Sequence, residues 1–296
     1  MKILSIGNFG FGWDGSICDE EHIAEALEEL GHNVIRLQRE EFGKVGGIPW
    51  ANDYDFCLIA QWDGYKDSWL EELKKIKQYG RDYPIVYWAF DYQADGQEWH
   101  ERLIKQADLY LSKRIADSKY ANWQWLSQDF APAFLDKFTH YENAEPIDVL
   151  FTGSYLPWAT ERNETLKAVD EKFNLVIHSI NEWPGFKDQR GPVMDHALPE
   201  LYARARVILS IDHTLEAGYW SDRNAQIMAC GKRPLFRYIP LSEVRFGNRV
   251  DYFYNTEDCL QKIKEFSAAP TNAEGLYVKD RVQDLLTIVE GILCVA

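Results

Sequence analysis

Ile208-Leu-Ser-Ile-Asp-His-Thr-Leu-Glu-Ala-Gly-Tyr-Trp-Ser-Asp-Arg-Asn-Ala-Gln-Ile-Met-Ala-Cys-Gly231 reads as a strand, a loop, a short helix and its stop. Val207 to Ile211 is an apolar, β-branched run of the kind buried on both faces of a parallel sheet, and it ends in the polar pair Asp212 and His213. In open α/β sheets, chemistry sits at that end of a strand. Ser221 or Asp222 can cap the helix that follows, Arg223 falls in its first turn, and Gly231 stands where a left-handed residue closes it. A helix N-terminus offers free N–H groups and partial positive charge, and an arginine there adds a planar fork suited to a diphosphate. Gln226, three residues on, shares the face of Arg223 and can bond hydroxyls such as those of a ribose. An ordinary helix start with a salt-bridging arginine fits the same residues.

Charge separates the two readings. Between Ser221 and Val250 stand six basic residues (Arg223, Lys232, Arg233, Arg237, Arg245, Arg249) and two acids (Asp222, Glu243), in a chain whose formal net charge is −15. A local basic surplus in an acidic chain predicts a local anion site. The overall acidity speaks against tight binding of nucleic acid through its phosphates, which draws on many lysines and arginines. Five dispersed cysteines without a C-x-x-C pair form neither a disulfide framework nor a structural zinc site and suit a reducing cytoplasm. No apolar run approaches a membrane span, and the start of the chain lacks a signal-peptide core.

The same strand-to-helix logic opens the chain. Lys2 to Gly15 is a buried strand followed by a loop with glycines at 7, 10, 12 and 15, after which Asp19 can cap a helix with Ile23, Leu27 and Leu30 on its apolar face. Seven acids and no lysine or arginine lie between Asp14 and Glu29, so a phosphate would be repelled there. Two readings of the loop stay open: Gly10, Gly12 and Trp13 making room for a neutral acceptor, or a tight turn with glycines for geometry alone. Strands are expected at Asn33 to Leu37, Phe56 to Ala60, Ile85 to Ala89 and Leu109 to Ser112, with an amphipathic helix over Ser68 to Tyr79. Asp91 and Tyr92 follow one of these strands at its C-terminal end, as Asp14 follows the first, and are acceptor-side candidates. Asp53-Tyr-Asp55 imitates a metal motif but has turn chemistry on both sides. Ser127 to Pro146 loses periodicity and reads as a linker.

From Ile147 the pattern repeats. The strand Ile147-Asp-Val-Leu-Phe-Thr leads into a loop, Gly153-Ser-Tyr155, and a helix over Thr160 to Phe173. A strand at Leu175 to His178 and a helix at Leu198 to Arg204 lead to the central stretch. Beyond it, strands at Pro234 to Tyr238 and near Tyr252, a helix at Glu257 to Phe266 and a last helix striped by Val278, Val282, Leu285, Val289 and Ile292 complete the chain. The expected fold is α/β, with two Rossmann-like, doubly wound parallel-sheet domains facing a central cleft: residues 1–140, residues 147–276, and a C-terminal helix over 277–296 packing back across both.

Tyr87-Trp-Ala-Phe-Asp91, Ala107 to Ser112, Asp148 to Ser154 with Arg162, and above all Ser221-Asp-Arg-x-x-Gln-x-x-Ala-Cys-Gly231 resemble the GT-B glycosyltransferases, nearest to the CgeB-like (spore maturation protein) branch with a family 1/4-type C-terminal domain. The resemblance covers nearly the whole chain. It implies transfer of a sugar from a nucleotide-diphosphate donor, held by the second domain, to an acceptor held by the first, with retention of configuration. It implies no metal and no cofactor beyond the nucleotide sugar, because basic groups take the metal's role at the leaving diphosphate.

Carried over by position, Arg223 and Lys232 hold phosphates, and Gly153, Ser154 and Tyr155 line the diphosphate loop. Asp212 and His213 lie near the donor sugar, Ser221 and Asp222 flank Arg223, and Gln226 faces the ribose. The catalytic candidates are Asp14, Asp91, His213 and Arg223, with Asp14 or Asp91 as base if the reaction inverts. Gln226 departs from the glutamate common in the family, and Gly218 stands where many retaining relatives carry a second glutamate. The acceptor can be a carbohydrate, a small molecule or a hydroxymethylated base in DNA. The rival readings are a nucleotide-sugar epimerase and an inactive nucleotide-binding module.

Overall fold

The computed structural model describes residues 1–10, 17–38, 53–60, 83–90, 98–132, 135, 145–193, 195–267 and 269–294. The chain divides into two compact units, Met1–Gln128 together with Val278–Ala296, and Asp129–Tyr277.

In the first unit, β1 (Lys2–Gly7), β2 (Asn33–Gln38), β3 (Phe56–Ala60), β4 (Ile85–Ala89), β5 (Leu109–Ser112) and β6 (Trp123–Trp125) form a parallel sheet in the order β2-β1-β3-β4-β5-β6. Among its described residues are the helices α1 (Asp19–Glu29) and α2 (Glu98–Gln106), with the chain's last helix beside them. The apolar runs of β3 and β4 are buried along their whole length, as strands covered by helices on both faces must be. Asp19 is the first residue of α1 and not its cap; Cys18 stands at the cap position without a side-chain bond. Asp53-Tyr-Asp55 is a turn pinned to β1: the Lys2 N–H donates to the Asp55 carboxylate at 2.6 Å, and Tyr54 is buried.

The second unit carries β7 (Ile147–Thr152), α3 (Thr160–Lys172), β8 (Leu175–His178), β9 (Asp188–Arg190), α4 (Leu198–Arg204), β10 (Ala205–Ser210), α5 (Arg223–Ala229), β11 (Leu235–Arg237), α6 (Ser242–Phe246), β12 (Asp251–Phe253) and α7 (Thr256–Glu265). All strands are parallel, in the order β12-β11-β10-β7-β8-β9. From β7 the chain winds outward to β8 and β9, then returns to the other side of β7 as β10. This reversal opens a crevice at the C-terminal ends of β7 and β10, where such sheets bind ligands. The Gly153-Ser154 loop and the Asp212-His213 loop meet there because of the winding order.

The final helix, α8 (Val278–Leu293), packs against α1 within the first unit. Asp129 and Ala131, in the stretch read as a linker, are buried in the second unit; Arg245 donates to Asp129 at 2.6 Å, and Ala131 bridges to Tyr277. The edge strands β6 and β9, three residues each, carry no alternation that the sequence could reveal. The helix expected over Ser68 to Tyr79 lies outside the described residues. No helix among the described residues is long and apolar enough to cross a membrane.

Trp183 joins the core of the second unit to its site. It is 1% exposed, packs edge-on against Phe151, Tyr155 and Phe186, and donates its indole N–H to the Gly153 carbonyl at 3.0 Å. Trp183→Ala is expected to cost about 3–5 kcal/mol of unfolding free energy, the range for truncating a buried tryptophan. Urea denaturation checks it, and a loss below about 1 kcal/mol contradicts this packing role.

Candidate functional site

At the C-terminal ends of β7 and β8 lies a pocket of about 180 Å3. One wall is Thr152, Gly153 and Ser154; a second is His178, Ser179 and Ile180 with Pro192 and Val193; α4 contributes Leu198 and Tyr202, and the start of α5 contributes Asp222, Arg223 and Gln226. The His178 Nδ1–H donates to the Gly191 carbonyl at 2.8 Å, since a carbonyl can only accept, which leaves Nε2 as an acceptor with no partner among the described residues. Burial lowers the pKa of this imidazole and favours its neutral form.

Two arginines dominate the electrostatics. The Arg223 guanidinium lies 5.2 Å from the Phe151 ring centroid and the Arg162 guanidinium 5.9 Å from it, so both cations rest on one aromatic side chain. Arg162 is 5% exposed, lies 5.5 Å from the Trp183 ring and donates from Nη2 to the Ser154 carbonyl at 2.9 Å; its Nε has no hydrogen-bond partner among the described residues. Burial, and then the nearby charge of Arg223, push its pKa down to about 10, with Asp212 acting in the opposite direction. Arg223 lines the pocket and Arg162 is buried behind the lining; two guanidiniums that raise each other's cost make an arrangement that an anion relieves.

The glycine between them has a steric reason. A Cβ on Gly153 would stand 2.9 Å from Arg223 Nη2 and 3.1 Å from the Phe151 ring. Arg223 is oriented from behind by Asp212, whose carboxylate lies 3.6 Å from Nη1 and accepts the Ser221 N–H at 3.3 Å, and by the Ser221 hydroxyl at 3.4 Å. One turn along α5, the Gln226 amide donates to the Asp222 carboxylate at 2.5 Å. The pocket therefore presents a carboxylate and an amide carbonyl side by side. Lacking the glutamate expected at position 226, this chain has its negative charge one turn earlier.

The structure brings together Gly153, Ser154, Asp222, Arg223 and Gln226 in this pocket, with Asp212 and Ser221 behind Arg223. His213 packs against Tyr219 and Trp158. The Tyr155 backbone is clamped by the Asn181 side chain, and its ring lies on Trp183, beside the pocket lining.

Lys232 departs from expectation. Its ammonium binds the carbonyls of Ala203 and Ala205, at 3.0 and 3.4 Å, where it satisfies the end of α4. The rest of the basic surplus is likewise engaged: Arg233 with Asn248 and Asp251, Arg237 with Glu161, Arg245 with Asp129, and Arg249 with carbonyls of Phe246 and Glu274. Of the six basic residues, Arg223 alone lines the pocket. The helix that starts at Arg223 has only seven residues, and neither Ser221 nor Asp222 caps it by side chain, so the positive charge comes from side chains more than from a helix end. Arg162 and Trp183 were missed as site residues; the trace of Arg162 in the sequence is its place eight residues after Ser154, in the first turn of the next helix.

In the first unit the described start of the glycine loop is bonded to α1 and β2. The Asn8 and Gly10 N–H groups donate to Glu20 and Glu21 at 3.3 and 3.0 Å, the Phe9 N–H donates to Gln38 at 3.0 Å, and a Cβ on Gly7 would meet Glu20. Of the described loop amides, those of Asn8 and Gly10 are bonded to carboxylates, in keeping with the acidic reading of this loop. Gly12, Trp13, Asp14, Asp91 and Tyr92 lie outside the described residues.

Residues 162–285 match a family described as glycosyl transferase-like. In fold the chain is similar to an alpha-glucosyltransferase in complex with UDP and a 13-mer DNA containing a central A:G mismatch (TM-score 0.67, 13% identity, 98% of this chain and 100% of that one). It is also similar to AviGT4, a glycosyltransferase involved in avilamycin A biosynthesis (0.62, 12%, 100% and 98%), and to a T4 phage BGT mutant in complex with UDP-glucose (0.59, 15%, 100% and 98%). No curated protein sequence matches significantly. The chain has the GT-B fold.

The close approach at Gly153 makes a specific prediction. Gly153→Ala should push the Arg223 guanidinium aside and weaken pyrophosphate binding about tenfold, close to 1.4 kcal/mol. It should also cost about 1–3 kcal/mol of stability, because the φ of +154° strains a side chain and the Phe151 ring stands at 3.1 Å as well. Calorimetric titration with pyrophosphate checks this, and an unchanged affinity would show that the position of Arg223 does not govern anion binding.

Proposed function

We propose that the second unit binds a nucleoside-diphosphate sugar and that the protein passes the sugar to an acceptor hydroxyl. The observation that carries this reading is the convergence of Arg162 and Arg223 on Phe151 beside Gly153, with Arg223 lining a pocket whose other end is partly apolar and Arg162 buried next to it. The nucleobase enters among His178, Val193, Leu198 and Tyr202, and the Asp222–Gln226 pair takes the ribose hydroxyls. The two guanidiniums hold the diphosphate.

Transfer breaks the bond between the anomeric carbon and the β-phosphate oxygen, which leaves an additional negative charge on the departing diphosphate. Arg162 and Arg223 stabilise that charge, so the reading requires no metal. The acceptor oxygen bonds to the anomeric carbon, and its proton passes to a base or, with retention, to the leaving phosphate. Retention, the acceptor's place on the first unit, the candidate bases Asp14 and Asp91, and the narrower CgeB-like assignment follow the resemblance alone. Five cysteines outside disulfides support a cytoplasmic setting.

A second acceptor reading, a hydroxymethylated base in DNA, is favoured by the similarity in fold to an alpha-glucosyltransferase in complex with DNA. Offering glucosylated donor with hydroxymethylated DNA or with simple glycosides separates the two by which product forms.

Nucleoside diphosphates added without metal should raise the unfolding midpoint, since a ligand that binds only the folded state stabilises it. Arg223→Ala and Arg162→Met should each abolish that shift and lower turnover at least a hundredfold, the order seen when a donor to a developing oxyanion is removed. A shift that survives both substitutions would sink the donor placement.

Gln226→Glu tests the ribose pair. It sets a second carboxylate against Asp222, raising one carboxylate pKa, so donor affinity should fall about tenfold at pH 8 and recover toward pH 5 as a proton bridges the two. A pH-independent affinity equal to wild type would show that the pair does not meet the ribose.

A further inference from the structure

Three aromatic rings form a shelf at the C-terminal edge of the second unit's sheet. Tyr219 is buried; His213 packs edge-on to it at 5.0 to 5.1 Å between centroids on either side, first to Tyr219 and then to Trp158, the latter at an interplanar angle of 84°. Trp158 ends the row at 60% exposure, the most exposed tryptophan among the described residues. A single exposed apolar side chain is ordinary on a protein surface. What distinguishes Trp158 is its setting: it stands in the β7–α3 loop four residues after Ser154, and its partner His213 directly follows Asp212, which orients Arg223.

The shelf also has a definite place along the sheet. In the order β10-β7-β8-β9, the nucleoside end of the pocket lies over β8 and β9, the arginines and Gly153 lie at the end of β7, and His213 and Tyr219 belong to the loop after β10. A donor laid with its base at the β8 side and its diphosphate on the arginines directs whatever follows the β-phosphate toward the β10 side. Asp212, the residue before His213, lies 3.6 Å from Arg223 Nη1, so the shelf borders the arginines.

We propose that the indole face of Trp158 stacks against the ring of the transferred sugar and selects a neutral hexopyranose. A pyranose of the glucose or galactose type presents a face of C–H groups that an open aromatic face covers, while its hydroxyls remain at the rim. The electron-rich face of the indole repels an anion, which disfavours a sugar that itself carries a carboxylate. His213 holds the indole upright and is a positioning residue in this arrangement. The proposal rests on the donor reading for the direction in which the sugar lies.

The test compares a nucleotide with its own sugar conjugate. Wild type, Trp158→Ala and Trp158→Phe are titrated calorimetrically with UDP, GDP, ADP and dTDP and with the glucose and glucuronic acid conjugates of the nucleotide that binds. Trp158→Ala should bind the bare nucleotide as wild type does and the glucose conjugate about tenfold more weakly, the scale expected for losing one sugar face from an aromatic surface. Trp158→Phe should restore most of the difference, and wild type should disfavour the glucuronate. Equal losses for nucleotide and conjugate, or no loss for either, overturn the stacking role while leaving the donor site standing. Wild type that binds none of the nucleotides overturns the donor reading and this inference with it.

Discussion

Two guanidiniums held against one phenylalanine constrain the second unit more than any other contact. Arg162 and Arg223 come from different βα segments and repel each other, and burial adds to the cost of keeping Arg162 charged. The fold sustains them by supplying partial compensation: the Ser154 carbonyl for Arg162, the Asp212 carboxylate for Arg223, and the rings of Phe151 and Trp183 for both the packing and the cation. Compensation stops short of neutralisation. An anion with two or more oxygens would complete the set, and the proposed diphosphate is of that kind.

The charge economy of the rest of the molecule isolates that pair. The protein is strongly acidic, and the basic residues around the site are consumed by carbonyls and carboxylates of their own loops, as Lys232, Arg237 and Arg245 illustrate. In the first unit, the glycine loop that might have bound phosphate is instead bonded to Glu20 and Glu21. On the proposed reading a phosphate has one crevice to enter, and the described start of the first unit's loop has an acidic environment suited to neutral groups.

The replacement of a glutamate by Gln226 looks at first like loss of the ribose contact. Asp222 alters that conclusion, because its carboxylate lies within hydrogen-bonding distance of the Gln226 amide on the same face of α5. The pair retains one negative charge and fixes the amide so that its carbonyl is free to accept, while its N–H is already used. A charge moved by one helical turn leaves the chemistry of the site in place while breaking the local motif.

The sequence by itself determined the alternation of strands and helices, the two parallel sheets, the glycine turn at Gly153 and the short helix from Arg223 to the left-handed Gly231. These follow from local regularities: apolar runs of strand length, helical periodicity and residues with special backbone freedom. Short polar edge strands such as Asp188–Arg190 escaped because three residues carry no period. Tertiary structure alone decided which cations meet an anion. Proximity in sequence grouped Arg223 with Lys232 and Arg249, yet the return of the chain across β7 to form β10 put Arg223 beside Arg162 and turned the others toward carbonyls elsewhere. The physical reason is that a backbone pattern is set by neighbours in the chain, whereas the direction of a long charged side chain is set by what the packed strands leave open to it.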